Sequence, residues 1–198
     1  MANRKVPFSV GNFYHCYSRG IDKCPTFLDD ADCLRFVENI HIDNRQTKIS
    51  RTLRRNLLSQ DVWKIPNESP LVRIVAYCLM PNHFHFVLEE ITENGISIFM
   101  QRLMTSYTMY FKTKYGRSGG LFTRPFRSKL IGNDEYLVTV INYIHLNPVE
   151  LIESRMNDSN QHNNGVSISE IENYIFSSLP DYAGQHRPQR VLLTEVLP

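Results

Sequence analysis

Residues 71–89 read LVRIVAYCLMPNHFHFVLE, and this stretch decides the fold. Leu71 to Met80 is almost wholly apolar, the pattern of a strand covered on both faces. Pro81-Asn82 then supplies turn chemistry, because Pro suits the second turn position and Asn tolerates the third. His83 to Glu89 returns as the second strand of a hairpin. Side chains alternate along a strand, so His83 and His85 share one face. Phe84 and Phe86 point to the other, where helices can cover them.

Upstream of the hairpin, Phe13 to Arg19 (FYHCYSR) is short, aromatic and bounded by Gly11 and Gly20, and reads as a strand. Asp29 to Asn44 reads as a helix capped by Asp29 or Asp30, with Leu34, Val37, Ile40 and His41 on one face. Residues 45–70 are polar and basic, contain Pro66 and Pro70, and read as a partly helical insertion or flexible excursion. Downstream, Ser97 to Tyr115 predicts a long helix striped by Phe99, Leu103, Tyr107 and Tyr110. Met100, Met104 and Met109 on that helix read as core filling. Gly116 to Gly120 ends it. Leu121 to Ile131 is basic and aromatic, a loop followed by a short strand. Asn133 or Asp134 caps a further helix, which should stop at Pro148 because the residue before proline disfavours the α region. Asn157 to Gly165 (NDSNQHNNG) reads as a mobile loop, and Val191 to Val196 as a last strand or an arm. Strand, helix, hairpin, helix, strand, helix predicts an α+β sandwich with a central antiparallel sheet.

The 198 residues are enough for one well-buried domain with extensions. With 42% hydrophobic and 21% charged residues, the chain has ordinary globular composition and is not disordered. Its formal charge of +2 is nearly neutral, so any nucleic-acid role must rest on local clusters. Lys48, Arg51, Arg54 and Arg55 form one; Arg117, Arg124, Arg127 and Lys129 form another. Cys16, Cys24, Cys33 and Cys78 show no CxxC spacing, and Met1 to Lys5 leads into no apolar run. These features read as reduced thiols in a cytoplasmic protein with no membrane span.

His83 and His85, close together on one strand face, make a natural two-point metal ligand, although satisfied or surface histidines share that spacing. Tyr143 and Asn147 lie a helical turn apart on one face. A phenol can attack a phosphodiester once its proton is removed, and an amide oxygen can add a third, hard ligand beside two imidazoles. Tyr107, Tyr110, Tyr115 and Tyr136 are rival nucleophiles that spacing does not exclude. The segment 121–129 interleaves cations with rings, as single-stranded nucleic acid requires, though a solvated turn has the same composition. His15, Tyr17 and Arg19 alternate on the first strand and could line the same groove or simply occupy an edge.

Three stretches, YHCYSRG (14–20), AYCLMPNHFH (76–85) and NYIHLNPV (142–149), together resemble the HUH single-tyrosine transposases, and most closely the REP-associated tyrosine transposases, an IS200-like branch. The resemblance runs from about Phe8 to Val149 and weakly on to Tyr182. It implies a ferredoxin-like fold, with residues 1–150 as the HUH nuclease domain and 151–198 as a partly flexible extension packed on or beside it. It implies Tyr143 as nucleophile and His83, His85 and Asn147 as ligands of Mg²⁺ or Mn²⁺, Asn147 standing where relatives carry Gln or Asn. His15, Tyr17, Arg19, Arg117, Arg124, Arg127 and Lys129 would then bind DNA. The implied activity is cleavage and rejoining of single-stranded DNA bearing an imperfect palindromic hairpin, through a 5′-phosphotyrosine. The implied setting is the bacterial nucleoid, as monomer or homodimer. A hairpin-binding protein without cleavage, or a rolling-circle initiator or relaxase, would use the same motifs.

Overall fold

The alternation in FYHCYSR becomes strand β1 (Phe13–Arg19), whose residues are by turns half-buried and buried up to an exposed Arg19. Helix α1 (Asp30–Asp43) follows, and the Asp29 carboxylate caps it by accepting from the Asp32 amide. The insertion holds two short helices, α2 (Arg51–Asn56) and α3 (Ser59–Val62). The hairpin forms β2 (Val72–Met80) and β3 (His83–Glu90), and then come α4 (Gly95–Tyr115), β4 (Arg127–Ile131) and α5 (Asp134–Leu146). Helices α6 (Pro148–Asp158), α7 (Ile168–Glu172) and α8 (Leu179–Tyr182) complete the chain. The structure is a computed structural model and describes residues 7–158 and 166–193.

The strands form one antiparallel sheet in the order β2-β3-β1-β4. A β-α-β-β-α-β chain in this order is the ferredoxin-like sandwich that the sequence predicts. Directly opposed residues of paired strands share a face. The register sets Tyr17 opposite His85 and Arg19 opposite His83 on one side of β1, and Tyr17 opposite Arg127 and His15 opposite Lys129 on the other. The histidines and much of the predicted DNA-binding set therefore come to one face.

The other face is dry. Phe84 and Phe86 are fully buried there with Phe36 of α1 and Phe99, Leu103 and Tyr107 of α4. Each such ring contributes roughly 1.5–3 kcal/mol by leaving water. On the histidine face, α5 presents Leu137, Val140, Ile141 and Ile144 to Ala76, Cys78 and Val87. That spacing is one helical stripe. Asn133 starts α5 by accepting from the Tyr136 amide at 2.7 Å.

Several expectations need correction. Leu34 is 43% exposed, and the buried stripe of α1 is Cys33, Phe36, Val37 and Ile40. Met109 is exposed, whereas Met100 and Met104 fill the core. Helix α5 does end before Pro148, at Leu146, but not for the expected reason: Asn147 keeps helical angles (φ −51, ψ −38), and a new helix, α6, starts at Pro148 itself. Proline fits a first helical position because its missing N–H would have no partner there. In the basic cluster of the insertion, Arg54 is tied to Asp43 at 2.7 Å and to Asn39, both on α1. Pro188–Leu192 forms a short 3-10 turn and Leu193 a single bridge to Ile74, so the predicted last strand is absent as far as residue 193. Residues 194–196, and residues 159–165 of the polar NDSNQHNNG run, lie outside the described residues.

The C-terminal stretch closes the free edge of β2. Leu79 donates its amide to the Phe176 carbonyl, and Ser178 donates its own to Tyr77. The Ser178 hydroxyl also lies 2.8 Å from His145 Nε2, which ties this edge to α5. None of the four cysteines forms a disulfide, and no helix among the described residues is long and apolar enough to cross a membrane.

Candidate active site

Beyond the end of the α5 stripe, the histidine face opens into a cleft of ≈ 490 Å³. Tyr17 and Arg19 from β1, His83 and His85 from β3, Arg127 from β4 and Tyr143 from α5 all line it. The Tyr143 ring stands edge-on to His85 at 5.7 Å and to His15 at 6.0 Å. Tyr17 stacks on His85 at 5.5 Å. Tyr143 is 53% exposed, so its hydroxyl is not sealed into the core.

Asn147 links the helix end to the histidines. Its backbone amide bonds back only to Ile144, and its side-chain Nδ2 takes up the Tyr143 carbonyl at 2.8 Å. A carbonyl orphaned at the helix terminus is thereby satisfied. The same side chain reaches the His83 ring.

Each imidazole has one nitrogen engaged. His83 Nδ1 lies 2.7 Å from Asn82 Oδ1, and His85 Nδ1 lies 2.8 Å from His15 Nε2. Nδ1 is the engaged nitrogen on both β3 rings, and the Asn147 side chain adds a further hydrogen bond to the His83 ring. Burial pushes His85 down to about 3, helped by the neighbouring His15, His83 and Arg19. Burial, then Lys129, pushes His15 down to about 4. Burial followed by Arg19 also lowers His83, against an opposing pull from Asn147. The three rings are thus neutral at neutral pH, the state in which an imidazole nitrogen can bind a metal. Among the described residues no three His, Cys, Asp or Glu side chains group as a metal site. The candidate donors here are the two imidazoles and the Asn147 amide. That mixed, incomplete set suits an ion that fills its remaining positions with oxygen.

The family described as "Transposase IS200 like" matches residues 42–147, more than half of the chain and the span that holds His83, His85, Tyr143 and Asn147. The chain belongs to the IS200-like transposase family. Among solved structures it is similar to one described as "Structure of the REP associates tyrosine transposase bound to a REP hairpin". The TM-score is 0.57 at 14% identity, over 100% of this chain and 94% of that one, and the likeness speaks for the shared fold. Among curated proteins, none matches.

The remaining predicted residues of the transposase are spread more widely. His15 sits beneath His85 and does not line the cleft, and Lys129 lies 4.7 Å from the Tyr136 ring centre. Arg124 is exposed between the cleft-lining Thr123 and Pro125. Arg117 turns to the Cys24 sulfur at 3.4 Å, away from the cleft lining. Sequence reasoning missed Asp22 and Lys23, which line the cleft in left-handed conformations (φ 55 and 58). Their only sequence signal is the neighbouring Gly20, where a Cβ would stand 2.1 Å from the Cys24 carbonyl oxygen and so forces a tight loop. It also missed Asn82, read only as a turn residue.

Proposed function

We propose that this transposase cleaves and rejoins single-stranded DNA in the cleft, with Tyr143 as the nucleophile. The observation that carries the reading is the convergence of an exposed tyrosine ring with His85, at 5.7 Å, on the one face where β1 and β4 also gather cations. Tyr107, the most buried rival, spends its hydroxyl on the Thr26 carbonyl, and Tyr110 and Tyr115 bond to Asp32.

His83 and His85 through Nε2, with the Asn147 amide, would hold a divalent ion, Mg²⁺ or Mn²⁺. When bound, such an ion supplies positive charge beside the scissile phosphate. The residues of the chain do the rest. Arg19, Lys23 and Arg127 neutralise backbone phosphates, and Tyr17 offers a ring for a base to stack on. Asn147 fixes the helix end and therefore the approach of Tyr143. The phenol loses its proton and its oxygen bonds to phosphorus. The bond from phosphorus to the 3′ oxygen breaks, and the electron pair leaves on that oxygen, which is protonated. A 5′-phosphotyrosine and a free 3′-hydroxyl result. Attack by another 3′-hydroxyl reverses the step and joins strands with no external energy source. The structural relative is bound to a REP hairpin, and a hairpin-bearing single strand is the substrate class we infer for this chain.

The test is a denaturation-resistant adduct between the protein and labelled hairpin single strands in Mn²⁺. Wild type should form it, and Tyr143→Phe should lower its rate by roughly 10³-fold or more. An adduct that survives Tyr143→Phe would move the chemistry to another residue. Hairpin binding with no adduct in wild type would leave a recognition protein.

A further inference from the structure

The rings of His83 and His85 are each held from behind. We propose that Asn82 and His15 are positioning residues that fix both rings as the Nδ1–H tautomer, leaving Nε2 of each for the cleft. The inference rests on the metal-binding reading given above. A carbonyl oxygen only accepts, so the 2.7 Å contact between Asn82 Oδ1 and His83 Nδ1 requires the proton on Nδ1. The orientation of that amide is set independently, because its Nδ2 donates to the Lys23 carbonyl at 3.2 Å. On the second ring, the 2.8 Å contact joins two imidazole nitrogens, one of which must donate. His85 keeps a lone pair at Nε2 only when its Nδ1 donates and His15 accepts. An imidazole held at one nitrogen by an acceptor presents the other to a metal, and losing such a partner costs about 10–100-fold in metal affinity.

Neither Asn82 nor His15 lines the cleft, so neither needs to touch DNA to matter. Their sequence origins differ. Asn82 is carried by the hairpin turn itself, whereas His15 arrives from β1, 70 residues away in sequence, through the β1–β3 register. Asn82 also does a second job. Its donation to Lys23 anchors the loop of Asp22 and Lys23, whose positive φ angles are uncommon for residues with side chains. One amide thus joins a cleft-lining loop to a candidate metal ligand. Asn82→Asp separates the two jobs, since a carboxylate still accepts from His83 but has no donor for the Lys23 carbonyl.

The first measurement is the ¹⁵N shifts of the imidazole nitrogens in metal-free wild type, which report tautomers without any substitution. Both His83 and His85 should carry the proton on Nδ1. A proton on Nε2 of either ring overturns the inference. Asn82→Ala should release the tautomer at His83 alone, and His15→Phe at His85 alone. In Mn²⁺ titrations followed by electron paramagnetic resonance, each of these two variants should bind about 10–100-fold more weakly, and Asn82→Asp should stay within about threefold of wild type. Wild-type tautomers and Mn²⁺ affinity in both Asn82→Ala and His15→Phe would overturn the assignment. A wild type with both rings fixed at Nδ1 but no Mn²⁺ binding would refute the metal reading and still support the positioning role.

Discussion

Two pairs of neighbours on β3 differ in what covers them. Phe84 and Phe86 face two long helices and are fully buried, while half-buried His83 and buried His85 face a single helix, α5, whose Tyr143 ring stands beside His85. One strand therefore builds the core and the cleft together, with successive residues assigned to each. The aromatic face is specified by volume, because tightly packed rings tolerate little change. The histidine face is specified by hydrogen bonds, because each ring has one particular partner.

The sharpest way to break this contrast is to truncate one residue of each pair. Phe86→Ala should destabilise the protein by about 3–5 kcal/mol in urea unfolding, through lost burial and the cavity left behind. His83→Ala should cost about 1 kcal/mol or less, since that ring is only half-buried, yet it should abolish the covalent adduct in Mn²⁺. Equal losses of stability from the two substitutions would show that the histidine face is also held by packing.

A subtler contrast lies within the last turn of α5, between exposed Tyr143 and buried His145. His145 is buried two residues beyond Tyr143 and bonded to Ser178, and burial alone pushes it down to about 4 from an ordinary 6.5. Its unfolded form takes up a proton more readily than its folded form. The contribution of His145 is therefore complete above pH 6.5 and shrinks as the pH falls toward 4. Between pH 7 and pH 5 wild type should lose roughly 1–2 kcal/mol more stability than His145→Phe, measured as the difference between their two urea-unfolding slopes with pH. Identical pH dependence in the two proteins would mean that His145 is hydrated in solution. The result bears on the active site because the Ser178 contact, with the Tyr182 ring 5.0 Å from His145, helps join the C-terminal stretch to α5.

What the sequence made legible follows the same division. Period-two alternation at 83–86 was enough to send the phenylalanines and histidines to opposite faces, because that rule is local. The cap of α5 at Asn133 was legible for the same reason. The proximity of Tyr143 to His85 needed the resemblance, since helical spacing alone left four rival tyrosines open. The His15 contact was out of reach: it depends on which β1 residue falls beside His85, a register fixed by the whole sheet. The helical Asn147 ran against the preference before proline, and a side-chain bond to the Tyr143 carbonyl accompanies that departure. The Asp22–Lys23 loop was hidden because left-handed backbone at those residue types has no compositional signature.

That hidden loop supplies the smallest predicted effect and the finest test of the two faces. Lys23 lines the cleft, whereas Lys114, an equally basic side chain at the end of α4, is spent on Asp29 and Asp32 at 2.8 Å. If cations act by location, Lys23→Ala should weaken hairpin binding by a few-fold and lower the slope of log affinity against log salt by about 1. Lys114→Ala should leave that slope unchanged. The salt slope is the better readout than a single affinity, because it counts released counterions and is insensitive to small losses of fold. A shared reduction in both variants would indicate that DNA feels only the net charge, and the asymmetry between the faces would then be one of shape alone.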